Sequence, residues 1–334
     1  MPLDDIFNVT RPNAANGGTD PLELVIERFT GMVEGTLLRR SALQGWVPIQ
    51  TVRGTATIRD DAVGQSTIQV LDPAGASPDG TKNDFAKNTL TIDTVVLARA
   101  VFPLLEVFQT NFDKQREVAN EHGKALAKLW DQAMFIQGIK ASLLTESAFS
   151  MGNAGKPAGH SGGSIETLAN AGDAADPAKL VAALARLMVK MELKDVDPQN
   201  DDVIAACRPD VFYTLLQAEQ LINQDYITAD GNKISGMVLK AYGVPVRRSN
   251  NYPAGQNITA HPLSTPNNNN AYNGNFTKAV LTLMAPRALL AGETIPLTTD
   301  VFYDRTQKKH FVDAHMSYGA TVRRAEFAGS IYKP

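Results

Sequence analysis

Residues 111–139 read NFDKQREVANEHGKALAKLWDQAMFIQGI. Ala119, His122, Leu126, Leu129, Ala133 and Ile136 recur at helical spacing on one stripe, while Lys114, Glu117, Glu121, Lys124 and Lys128 lie largely around the other faces. Gly123 and the closing Gly138 are the only glycines in the run, and it holds no proline. At 1.5 Å per residue the predicted helix spans roughly 40 Å, more than twice the usual length. Such a helix is a strut, and the elements on either side must be arranged around it.

Upstream, Asp20-Pro21 predicts a helix start, with Asp20 as cap, Pro21 in the first turn, and Leu22, Val25, Ile26, Phe29 and Val33 following at helical spacing. From Trp46 the period changes. Segments 46–58, 66–71 and 89–98 are rich in Val, Ile and Thr and predict strands, and DPAGASPDGTKND at 72–84 is turn chemistry throughout. Together they predict a long β-ribbon, polar on both faces over much of its length. A two-stranded ribbon is marginal alone, so it is expected to lie on a neighbouring subunit, with Ile58, Ile68 and Val70 turned towards it. Downstream, residues 146–176 read as an exposed loop, and Asp176-Pro177 opens an amphipathic helix with Leu180, Leu184, Leu187, Met188 and Met191 inward. A short strand at Val203–Cys207, a helix from Pro209 through Leu216, a strand pair broken at Tyr242-Gly243, a Pro/Asn-rich loop at 251–275, and strands at 278–284 and 298–318 complete the pattern.

The chain has 334 residues, beyond the size at which one core usually keeps growing, which predicts two lobes. A formal net charge of -3 argues against sequence-specific nucleic-acid binding. Cys207 is the only cysteine, which excludes an internal disulfide and multi-cysteine zinc sites. No run of about 20 apolar residues predicts a membrane span.

Few residues suggest chemistry. Gly159-His160-Ser161-Gly162-Gly163 matches the nucleophile-elbow pattern, which requires a core strand before the serine and a helix after it. The preceding Ser150–Ala158 is a poor strand, so a loop carrying the pattern by chance is the simpler reading, and a serine hydrolase at Ser161 is the contrasting one. Gly152–Lys156 lacks the spacing and following hydroxyl of a phosphate loop. His310 and His315 fall on opposite strand faces and are poor partners for a metal. Asp60-Asp61 and Asp201-Asp202 fit solvated turns, and Arg323-Arg324 fits a subunit contact or a solvated edge better than a nucleic-acid patch.

Several segments carry a likeness: FTGMVE at 29–34, LTID at 90–93, the spine of Phe112–Phe135, DVIAACRPDVF at 202–212, ISGMV at 234–238, YGVPV at 242–246, NNYP at 250–253, and Ala288–Tyr332. In these, and in its order of elements, the chain resembles the tailed-phage and herpesvirus capsid fold, most of all the major capsid proteins of short-tailed phages (podoviruses). The resemblance implies an α+β chain with an N-terminal arm (1–20), a first helix (21–45), an extended β-ribbon loop (46–98), a peripheral domain containing the spine helix (99–145 and 285–334) and an axial domain (146–284). It implies no catalytic residue, cofactor or metal. The candidate intersubunit contacts are Ile58, Ile68, Val70, Lys82, Phe85, Arg323 and Arg324.

The implied partners are other copies of the chain, as hexamers and pentamers in an icosahedral shell, a scaffolding protein, a portal protein and non-specifically packaged DNA, with no membrane. The arm before Asp20 is too short for a fused scaffold, so a separate one is expected. The implied location is the virion capsid, assembled in the host cytoplasm. A bacterial nanocompartment shell of the same fold is the nearest alternative. Some relatives join an extended-loop lysine to a C-terminal asparagine. Lys82 and Lys87 are present, but residues 311–334 contain no asparagine, so non-covalent shells are expected.

Overall fold

The computed structural model describes residues 32–37, 41–69, 75, 80, 82–103, 114–218 and 239–334. The expected arm, the start of the first helix and most of the ribbon tip, Val70 included, lie outside these residues. Residues 32–37 are helical. In chain order follow β1 (Ile49–Thr51), β2 (Thr57–Val63), β3 (Phe85–Thr91), β4 (Val96–Pro103), α1 (Lys114–Leu143), β5 (Ser164–Thr167), α2 (Pro177–Glu192), β6 (Ile204–Cys207), α3 (Pro209–Leu216), β7 (Leu239–Ala241), β8 (Val244–Arg248), β9 (Asn257–Ile258), β10 (Gly274–Asn275), β11 (Ala279–Met284), β12 (Leu289–Asp304), β13 (Lys309–Val322) and β14 (Ala328–Tyr332).

Two sheets flank the spine helix α1. One has the order β1-β12-β13-β4, the other β5-β14-β11-β6-β8-β7. Among the described residues, strands β2 and β3 form a two-stranded sheet, as do β9 and β10. The 30 residues of α1 span about 45 Å. Its first half is amphipathic, with Ala119, Leu126 and Trp130 buried and Glu121, Lys124 and Lys128 exposed. Trp130 lies against Tyr318 of β13, with ring centroids 4.6 Å apart. From Ala133 to Ile139 every residue is buried, because here the helix runs between the sheets. Ser142 donates to Ser330 of β14 at 2.7 Å. Gly138 sits where a side chain would meet the Met284 sulfur, so the bare backbone lets helix and β11 approach.

Asp131, wholly buried on α1, anchors the turn after the first helix. It accepts from Ser41 Oγ (2.5 Å), the Ala42 and Leu43 amides and Asn251 Nδ2. Burial pushes its carboxyl up, against the pull of these donors.

The helix starting after Asp176 forms as expected, with Asp176 accepting from the Ala178 and Lys179 amides. The strand pair breaks at Tyr242 and Gly243, both at positive φ, as a two-residue hairpin turn requires. Three expectations need correction. Residues 66–69 are not a strand: pairing ends at Val63, and Ile68 has no surface to pack on. The segment 298–318 is two strands, β12 and β13, turning at 305–308. Residues 146–176 are not merely a loop, since β5 pairs in parallel with β14. Strand β14 lies in the six-stranded sheet, where β11 and β5 flank it.

Candidate subunit-contact surface

The ribbon alternates. In β2, Ile58 and Ala62 are buried and Thr57, Arg59, Asp61 and Val63 exposed. In β3, Ala86 and Leu90 are buried and Phe85, Lys87 and Thr89 exposed. The register places Ile58 opposite Leu90 and Ala62 opposite Ala86, so the buried residues form one line. That line rests on its own chain. Ile58, Leu90 and Ile92 cluster with Leu290, and Ala62 and Ala86 cluster with Phe149. Gly292 and Gly319, paired across β12 and β13, make the seat. A side chain at Gly292 would overlap the Ile58 tip, and one at Gly319 would press on Ile92 and Leu90.

Polar pins fix the same face. Arg323 donates from Nε (2.6 Å) and Nη2 (2.9 Å) to both carboxylate oxygens of Asp60. Asn88 donates to the Val322 carbonyl, and the backbones of Lys87 and Ser150 exchange two bonds at 3.0 Å. His160 Nε2 meets the Val63 carbonyl at 3.1 Å, and the Gln65 amide donates to the Ala158 carbonyl.

This overturns the expectation that the ribbon finds no cover within its chain. Ile58 is buried at home, and Arg323 is paired with Asp60. The outward face is another matter. Ile68 is 92% exposed, Phe85 70% and Val63 51%. Lys82 is also exposed, and Arg324 is half-buried at the start of the turn Ala325–Phe327. Sequence reasoning missed Asp60, His160 and the two seat glycines. Only the glycines carried a signal: an isolated glycine in a strand pattern marks close approach by another chain segment.

The catalytic pattern at Ser161 does not form an elbow. Ser161 makes a lone bridge to Glu146 and is followed by strand β5, with no helix. His160 points away, to Val63 and to Glu326. Gly162 and Gly163 cross the end of α1 so closely that a side chain would lie 2.3 Å from backbone, that of Leu144 and Thr145 just past the helix for Gly162 and that of Ala141 within it for Gly163. The glycines of the pattern therefore serve packing. The Cys207 thiol is buried and pushed up to about 12, which leaves it unreactive. Among the described residues no cluster of His, Cys, Asp or Glu could hold a metal, and no helix is long and apolar enough to cross a membrane.

A mixed α+β subunit with a spine helix between two sheets and a ribbon projecting an apolar strip has the architecture of a shell-building protein. Solved structures share it. The capsid of the cyanophage P-SCSP1u superposes with a TM-score of 0.71, at 19% identity, over 86% of each chain. The mature capsid of bacteriophage PhiM1 gives 0.70 at 24% identity, over 88% of this chain and 87% of that one. The virus-like particle from Pyrococcus furiosus gives 0.54 at 12% identity, over 92% and 98%. No curated protein matches the sequence. Residues 73–289 match the Gp10A-like family of major capsid proteins, and the chain belongs to that family. It is a structural protein of the virion that forms an icosahedral shell, and not an enzyme.

Proposed function

We propose that the protein builds the head of a short-tailed phage, assembling as hexamers and pentamers around the packaged genome. In this reading a separate scaffolding protein and a portal assist assembly, and DNA is held non-specifically. The absence of asparagine from residues 311–334 supports a non-covalent mature shell.

The observation that carries the assembly reading is the strip Val63, Ile68 and Phe85, apolar and exposed on a ribbon whose other face is fully used. Val70, Lys82 and Arg324 extend the proposed contact. Each subunit offers its strip to one neighbour and receives one, a heterologous pattern that closes into rings. Burying a side chain such as Ile68 or Phe85 contributes about 1.5–3 kcal/mol. The double variant Ile68→Asp/Phe85→Asp should therefore fold normally and need at least about tenfold more protein to form shells. Sedimentation velocity and electron microscopy read this out. Shells forming at the wild-type concentration would defeat the proposal.

A further inference from the structure

His160 lies where three parts of the chain meet: the distal end of β2, the turn Ala325–Phe327 leading into β14, and the segment that crosses the end of α1. Its Nε2 is 3.1 Å from the Val63 carbonyl. A carbonyl only accepts, so Nε2 carries the hydrogen. In a neutral imidazole Nδ1 is then an acceptor, and it faces another acceptor, Glu326 Oε1, at 3.6 Å. Both side chains are buried, 6% and 7% exposed. Among the described residues, Nδ1 of His160 and Oε2 of Glu326 have no hydrogen-bond partner. Two buried acceptors face each other across a gap that a single proton would turn into a bond.

We propose that His160 and Glu326 form a proton-operated latch between the distal end of the ribbon and the closing turn of the body. With one proton taken from solvent, a continuous chain forms: the Val63 carbonyl accepts from Nε2–H, and Nδ1–H donates to the Glu326 carboxylate. When the proton leaves, Nδ1 and the carboxylate repel, and the imidazole no longer ties Val63 to the turn.

The surroundings suit this. Lys194, just beyond α2, donates to the Gly162 and Gly163 carbonyls at 3.0 and 2.6 Å, and its charge acts on Glu326. Lys190, next along, is paired with Glu166. Arg287, over the Phe327 ring, is paired with Asp201. From the loop, Phe149 packs its ring 5.5 Å from the imidazole. Glu146 is bridged by its backbone to Ser161, and Asp84 lies beside Gly64 at the ribbon end. Among these groups, Glu326 is the carboxylate that His160 Nδ1 faces.

The test is hydrogen exchange on the free subunit from about pH 8 to about pH 5, where imidazoles and buried carboxyls titrate. Rates are corrected for intrinsic exchange, and β6 and β11 serve as the internal control. Using the free subunit keeps the outcome independent of shell formation. Protection of residues 57–65 and 85–91 should rise relative to the control as pH falls, by up to about tenfold per pH unit for one linked proton. Glu326→Gln places an amide donor against Nδ1, so its ribbon should stay protected across the range. An equal slope in wild type and variant would overturn the latch, as would a flat wild-type profile, which needs no variant. In acid, nitrogen NMR of His160 should show both ring nitrogens protonated. A neutral ring throughout would also overturn it.

Discussion

The β2–β3 ribbon and the six-stranded sheet are both β-structure, yet they are held by different means. In β6 and β11 every residue is buried, so the sheet is fixed by apolar packing on both faces. The ribbon buries only Ile58, Ala62, Ala86 and Leu90, two of them alanines, and depends on a few pins: Asp60–Arg323, Asn88–Val322 and His160–Val63. Packing is collective and fails as a unit. Pins are discrete and can be released one at a time. The difference places adjustability in the ribbon, the part of the molecule proposed to meet neighbouring subunits.

The comparison is sharpest in the core. Leu283, fully buried near the end of β11, should cost about 2–5 kcal/mol as Leu283→Ala, seen as a lower denaturation midpoint of the whole subunit. If only the six-stranded sheet exchanged faster, with the global midpoint unmoved, the sheet would not be the collective element described.

Acid should divide the two regions. His261, in the loop between β9 and β10, is buried, stacked on Tyr272, and accepts from the Leu263 amide at Nδ1. Burial holds it down to about 4. Its folded value lies below the unfolded value of about 6.5, so the stability linked to the neutral ring is complete above that and is lost as pH falls towards about 4. Residues 259–273 should lose about 1–3 kcal/mol of protection over this window, while the latch tightens the ribbon. His261→Gln should flatten the loop's profile. An unchanged profile would assign the acid sensitivity elsewhere.

These regions also differ in how far the sequence reveals them. Asp176-Pro177, Tyr242-Gly243 and the stripe of α1 were legible because capping, turn and periodicity signals are local. Segment 66–71 alternates well, yet its described residues 66–69 are no strand, whereas Phe85–Thr91 is, with Ala86 and Leu90 as its buried residues. Burial there is decided by what the chain meets, and an alanine against Phe149 leaves little trace in hydrophobicity. β5 escaped notice because a strand of four residues is fixed by β14, far along the chain. The exposed strip was partly legible, in Ile68 and Phe85. The pins were not, since Asp60 and Arg323 are 263 positions apart and each alone reads as a surface charge.

That pair gives the smallest effect and the most specific one. Asp60 is nearly buried, and Arg323 supplies both of its partners, with the guanidinium about one-third exposed. Arg323→Ala leaves a carboxylate largely desolvated and unpaired. Its cost should be about 1–2 kcal/mol, below that of a deeply buried pair because solvent still reaches the arginine side. Arg323→Lys keeps the charge, loses the two-pronged geometry, and should recover only part of this. Because the pin joins the ribbon to the end of β13, faster exchange should appear in 57–63 and 85–91, with β6 and β11 unchanged. Asp60→Asn alone should cost less, since an amide tolerates desolvation better than a charge, and combined with Arg323→Ala it should relieve part of the damage. A double-mutant cycle on ribbon exchange measures that coupling. Simple additivity would mean that the two residues act separately and that the ribbon is held by its apolar line alone, which would remove the distinction between pinned ribbon and packed sheet.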